Sequence, residues 1–204
     1  MKRFFDRTWL PLLLCFTLFA GLCDEYCLME QQAAIAESVL RLHVRADSDS
    51  AAAQGRKLLL RDCLLRELPS ILRRCSDRDE AEAAIAAALP ELAQYCEAFL
   101  RSAGMAETVR LSLRTERFPT RQYAAVTLPF GSYSALVAEL GSGSGQNWWC
   151  VVWPPLCLSA SETSEEDALA VFSPSEKRLV TSGGVVIRFR VLERLQALFP
   201  KLFA

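Results

Sequence analysis

"VLRLHVRADSDS", Val39 to Ser50, changes its structural period part-way along. Leu40, Leu42 and Val44 alternate with Arg41, His43 and Arg45, the period-two signature of a strand with one apolar face. The Asp47-Ser48-Asp49-Ser50 run that follows supplies helix-capping oxygens before "AAAQGRKLLLRDCLLREL", in which Leu60, Leu64 and Leu68 recur on one helical face. A cation site is the alternative for this acidic run. It lacks the ligand ladder and terminal glutamate of a calcium loop, and capping needs only one side-chain oxygen. Strand, turn and helix therefore set an α+β frame.

Pro69 is expected to end or bend that helix. A new start follows at Asp77 with Glu80 three residues on, a capping-box spacing, and Ala81, Ala84, Ile85, Ala88 and Leu89 form the apolar face. Pro90-Glu91 is expected to open a third helix that runs through Leu100 and closes at Gly104. The period then returns to two. "TVRLSLRTERF" sets Val109, Leu111 and Leu113 against Arg110, Ser112 and Arg114, while "YAAVTLP", "SALVAEL" and "WWCVVW" are further candidate strands. Turns at Phe130-Gly131-Ser132 and in "GSGSGQN" predict antiparallel hairpins, with a short helix as the rival reading of "SYSALVAELG". The acidic stretch from Ser159 to Lys177 reads as a mobile loop. "GGVVIRFRVLERLQALFP" reads as a strand and then a terminal helix carrying Val191, Leu195 and Leu198. The expectation is one α+β domain over residues 41–204, with an antiparallel or mixed sheet of about 5–6 strands, a layer of about 3 helices and a C-terminal helix.

The N-terminus has a different character. Lys2, Arg3 and Arg7 precede an uncharged run from Trp9 to Cys23 that stops at Asp24-Glu25, the layout of an export signal. The run is shorter than the ~20 residues of a typical spanning helix, which favours a signal peptide over a stable anchor, and the absence of polar residues on every face argues against a buried N-terminal helix. Ala20 suits a cleavage site but Leu18, two residues earlier, is large, so residues 1–23 read as a signal peptide or an N-terminal membrane anchor, with transient membrane association through residues 9–23. Leu22 stands where a lipoprotein signal needs a small residue ahead of Cys23. Residues 24–40 read as a juxtamembrane helix.

A net charge of −1, with Lys and Arg scattered, provides no field for nucleic acid. "GSGSG" lacks the lysine and the following helix of a phosphate loop. His43 is the only histidine, so a Cys-His pair must use it, and zinc sites with several histidines are excluded. Its place opposite the apolar face suggests a positioned sheet or surface residue.

Of the eight cysteines, Cys150 and Cys157 flank Pro154-Pro155 and do not match a CxxC redox motif. In an exported chain a disulfide is the better reading of this pair, because the prolines can reverse the chain between them; in a reduced chain both are buried thiols. On a strand, Trp149 and Trp153 share a face with Val151, while Trp148 faces the other way with Cys150 and Val152. Some indole must then meet solvent or a partner.

"RLHVRADSDS" with Gln54, Lys57, Arg61 and Asp62, followed by "FPT", "LPFGSYSAL" and "NWWCVVWPPLC", together resemble the stage II sporulation protein R family, from about Glu37 to Cys157. A weaker likeness lies in "IRFRVLERL". Asp47 stands where that family has asparagine, and is an equally competent cap. The resemblance implies a non-enzymatic signalling protein with no cofactor or metal, exported across the forespore membrane into the intermembrane space, where it is secreted or N-terminally anchored. It implies one partner, a membrane-embedded aspartyl protease of the mother cell that matures the pro-sigma-E factor. The contact surface is expected on the second-half sheet, around Tyr133, Trp148, Trp149 and Trp153, with Arg41, His43 and Arg61 as polar contributors. The rivals are an exported thiol enzyme using Cys150 or Cys157 with His43 as base, and a structural envelope protein.

Overall fold

The computed structural model describes residues 29–123, 126–156 and 169–181, with isolated positions between 9 and 26. Residues 29–37 form helix α1, followed by β1 (Leu40–Arg45), α2 (Ala51–Leu72), α3 (Arg78–Ser102), β2 (Val109–Phe118), β3 (Arg121–Tyr123), β4 (Val126–Leu128), β5 (Gly131–Leu140), β6 (Asn147–Trp153) and α4 (Pro174–Thr181). The α+β class holds, with a four-stranded sheet in the order β2-β5-β1-β6 and a separate β3-β4 ribbon. The terminal strand and helix expected beyond residue 181 lie outside the described residues, as do residues 159–168 of the expected acidic loop, whose remainder, 169–177, includes the start of α4. Among the described residues no helix is long and apolar enough to cross a membrane.

Both prolines are absorbed into helices instead of delimiting them. Helix α2 continues past Pro69 to Leu72, and the second and third expected helices are one, with Pro90 inside α3. A proline costs a backbone hydrogen bond, but Leu92, Cys96 and Leu100 beyond Pro90 continue the buried stripe begun by Ala81 and Ile85, and their burial outweighs the lost bond. The termini follow expectation. Asp77 accepts from Glu80 N at 2.8 Å, while Glu80 reaches back to Ser76 N, also at 2.8 Å. Gly104, at φ +79°, closes α3 with Gly104 N donating to Arg101 O and Met105 N to Leu100 O, the paired bonds of a left-handed C-terminal cap.

β1 lies between β5, to which it is parallel, and β6, to which it is antiparallel. β5 also pairs antiparallel with β2 along its whole length, from Val109↔Leu140 to Phe118↔Gly131. The expected local hairpins are therefore corrected. β4 pairs with β3, Gly131 begins a strand, and the glycine-serine segment carries the chain from β5 across the end of β1 to β6. β5 is a strand, as preferred over the helical alternative. Leu136, Ala138 and Leu140 join the core beneath α2 and α3, while Tyr133, Ala135 and Val137 join the core on the other face. A central strand buried on both sides has no polar face to display alternation, which is why its sequence also fitted a helix.

The "DSDS" and "GSGSGQN" segments bind one another. Ser50 caps α2, accepting from Ala53 N at 3.2 Å, whereas Asp47 Oδ1 accepts from Ser142 N at 2.7 Å and Asp49 Oδ1 from Gln146 N at 2.7 Å. Asp47 is thus a cap for the crossing loop and not for the helix. Hydrogen bonds from the Ser142 backbone and hydroxyl hold its carboxyl below the ordinary value. Only one of its oxygens receives the Ser142 N–H, so an asparagine carbonyl serves the same place. Lys57, almost fully buried in α2, donates to Gln146 O at 3.1 Å and ties the loop to the helix. At Gly145 an added Cβ would run into the Ser48 backbone.

Two stretches expected to stand apart pack on the sheet. Ile35 and Val39, in and just after α1, and Phe172 and Val180, before and within α4, are buried in the far-face core with Val126 and Leu128 of the ribbon. The sheet is therefore covered on both sides, by α2 and α3 on one and by α1, the ribbon and α4 on the other.

Candidate functional site

The polar side of β1 faces the ribbon and meets a connected set of charged and aromatic groups. β5 separates β1 from β2 by about 10 Å, two strand spacings. On this face β5 presents Ala135 and Val137, and above these small residues side chains from β1 and β2 meet. Glu116 of β2 accepts from His43 Nδ1 at 2.5 Å, Arg45 Nη2 at 3.0 Å and Arg114 Nε at 2.9 Å. Glu139 of β5 closes a ring, pairing with Arg45 at 3.2 Å and Arg114 at 3.0 Å. Burial would raise the Glu116 carboxyl, but the hydrogen bonds from His43 and Arg114 and the charge of Arg45 outweigh it and hold the group below its ordinary value.

His43 is only 3% exposed. Its Nε2 lies 2.8 Å from Asn147 Oδ1, its ring stacks on Trp149 at 5.6 Å, and its other neighbour is the edge of Phe118. With both ring nitrogens engaged, the histidine is held by the strands on either side of it. Cys150, opposite Leu42 in the register, lies in the core beneath the helices, whereas Trp149, opposite His43, lies on the other face. A Cys150-His43 nucleophile and base pair would have to act through the sheet, so the structure removes it. Cys150 is moreover disulfide-bonded. Cys157 lies outside the described residues.

At the other end of the face Arg41 is enclosed entirely. Its guanidinium sits 4.2 Å from the Phe118 ring centroid and 4.8 Å from that of Tyr133, and it donates to Tyr123 Oη at 2.6 Å and to Cys150 O at 3.1 Å. Burial pulls this guanidinium below its ordinary value, opposed by the two tyrosines. Arg41 Nη1 and the indole Nε1 of Trp149 are both buried and find no hydrogen-bond acceptor among the described residues. Arg121, exposed on the ribbon, lies 4.3 Å from the Trp149 ring centroid.

The expected contact residues therefore divide. Arg41, His43 and Tyr133 are interior, with the Tyr133 hydroxyl donating to Pro129 O at 2.7 Å, and this corrects their placement on an outer surface. Trp148 is half-buried on the helix side, where Arg61 of α2 lies 5.4 Å from its ring centroid and pairs with Asp62. Trp149 is half-buried on the opposite face. Trp153 was expected to share that face but packs on the helix-side core. The register shifts between Leu40 and Arg41, whose partners are Trp153 and Val151, so one extra residue reverses the alternation. Trp153 lines a cleft of about 580 Å³ with Glu37, Asp77 and Arg78. Sequence reasoning missed Glu116, Phe118, Tyr123, Arg121 and Asn147. The alternation of β2 put Glu116 and Phe118 on the polar side, but no local pattern announced that β1 supplied their partners.

The family model for stage II sporulation protein R matches residues 36–163. The stage II sporulation protein R of Bacillus subtilis (strain 168) is 32% identical over 128 residues, a match covering 63% of this chain and 57% of that relative. No solved structure matches. The matched residues run from α1 through the whole four-stranded sheet and include the Arg41 cage and the His43-Glu116 network; the chain belongs to the stage II sporulation protein R family.

Proposed function

We propose that this chain is an exported sporulation signal that binds the membrane-embedded aspartyl protease of the mother cell and activates it to mature the pro-sigma-E factor. Family membership across the whole sheet is the observation that carries this reading. The layout of residues 1–23 supports export from the forespore into the intermembrane space, by a cleaved signal or an N-terminal anchor.

Activation of this kind is a population shift. A ligand that takes a protease from about 1% to about 99% active must bind the active state about 10⁴-fold more tightly than the inactive one. The contact is placed where Trp149 and Arg121 meet the surface on the ribbon side. An indole backed by a rigid histidine is a preorganised anchor, and an exposed arginine on its ring adds charge. The exposed guanidinium of Arg121 beside the Trp149 ring favours a partner segment bearing a carboxylate. Trp148 with Arg61 is the second patch, on the helix side.

Co-expression with the protease and the sigma-factor precursor tests the proposal. Processing is expected only when this chain is present and exported. Equal processing without it would refute signalling and favour a structural envelope role.

A further inference from the structure

Cys63 and Cys96 have no part in the sheet face. Cys63 lies in the buried stripe of α2 between Leu60 and Leu64, and Cys96 lies between Leu92 and Leu100 on α3. Facing stripes bring the two sulfurs to 3.3 Å across the helix seam, from positions 33 residues apart. Both are free thiols and both are 0% exposed. We propose that Cys63 and Cys96 are a disulfide site that cross-links α2 to α3 through the core when the chain folds in an oxidising compartment.

A disulfide needs its sulfurs at ~2.05 Å, so closure requires about 1.3 Å of approach between two side chains already in contact. Buried cysteines often serve only as small apolar residues. Here the packing does more, because each sulfur is the other's hydrogen-bonding partner. The thiol of Cys96 eases ionisation of Cys63, helped by Arg66 against the cost of burial, while the same contact pushes the second thiol, Cys96, up. Cys75, at the α2-α3 turn, is a useful contrast: its thiol is raised by burial and by Glu80 and Asp77, and its polar contact is Ile71 O at 4.0 Å.

Complete burial sets the timing. The oxidant must reach the pair before the helices close, while the chain folds. The Cys63 thiolate attacks the disulfide of an envelope thiol oxidase and forms a mixed disulfide. The Cys96 thiolate then attacks Cys63 Sγ and releases the oxidase as a dithiol. Two S–H bonds are lost and one S–S bond forms, and the oxidase disulfide takes up the two electrons and two protons. In the reducing forespore the pair stays open, which leaves the helix layer uncrosslinked for export; this cellular setting rests on the export reading above.

Full-length protein, reduced and denatured, is refolded in mild detergent with a mixture of oxidised and reduced glutathione, then blocked with N-ethylmaleimide and mapped by mass spectrometry. The expected product is a Cys63-Cys96 linked peptide, with a Tm that reductant lowers by roughly 5–15 °C more than it lowers that of the Cys63→Ala/Cys96→Ala double variant. N-ethylmaleimide on both residues, or linkage of either to another cysteine, would overturn the site. The same map is made on protein from sporulating cells. An open pair there, beside a closed one after refolding, would refute the compartment and leave the site standing.

Discussion

Replacing Glu116 by glutamine tests whether the charged ring is the brace of the sheet face. The amide has the shape of the carboxylate but lacks its charge, and one of its two ends becomes a donor. At present one oxygen takes His43 at 2.5 Å and the other takes Arg45 at 3.0 Å and Arg114 at 2.9 Å. Whichever way the amide turns, its NH2 faces either a histidine or two arginines. Hydrogen bonds to charged groups contribute about 1.5–3 kcal/mol each, and breaking a buried pair costs about 3–5 kcal/mol. Glu116 is 12% exposed, but Arg45 and Arg114 are 30% and 38% exposed and can recover water, which places the expected loss near the low end, at about 3 kcal/mol. For a chain of this length that corresponds to a fall in Tm of roughly 6–12 °C.

Glu116→Gln also has a pH signature. The carboxyl is held below its ordinary value of 4.5 in the folded state, so the unfolded chain takes up its proton first as pH falls. The contribution of Glu116 is therefore fully present above pH 4.5 and is lost as pH falls through the lower folded value. Melting curves of wild type and variant, followed by far-ultraviolet circular dichroism from pH 7 downward, are expected to show a constant gap above pH 4.5 that narrows below it. A gap under about 1 kcal/mol at pH 7, or one that does not narrow in acid, would refute the bracing role.

Other perturbations have equally definite outcomes. Gly145→Ala drives a Cβ into the Ser48 backbone and is expected to cost about 1–3 kcal/mol, whereas Gly55→Ala, exposed in α2 with nothing within 4 Å, is expected to stabilise by about 0.5–1 kcal/mol; paired urea titrations check both. Arg41→Lys keeps the charge but loses the planar fork stacked between Phe118 and Tyr133, and a loss of about 2–3 kcal/mol in the same assay is expected. Trp149→Ala is expected to weaken protease activation by roughly 30-fold in the concentration required, with the fold retained by circular dichroism, and an unchanged dose response would move the contact elsewhere.

Much of the local structure was legible. The β1 alternation, the α2 cap region, the capping box at Asp77, the Gly104 terminus and the β2 alternation are each decided by residues within a few positions of one another. The faces of Trp148 and Trp149 also followed from the period of a strand. Pro90 misled because its local cost is outweighed by burial along the rest of α3, a term supplied by β1, β2 and α2. Trp153 misled because a single bulged residue, set by pairing with β1, inverts the alternation.

The sequence by itself determined which residues are apolar on which side of β1 and β2, where the helices begin, and the family. Strand order was decided only by tertiary structure. β1 enters between β5 and β6, more than ninety positions away in the chain, and no nearest-neighbour rule selects that place. The candidate site is a product of that insertion. Arg41 acquires its tyrosine cage, and His43 reaches Glu116 across Ala135 and Val137, because parallel pairing of β1 with β5 fixes their register. Side-chain chemistry was present in the primary structure, but the contacts that turn separate charges and rings into one surface are long-range, and their energies exist only once the sheet has formed.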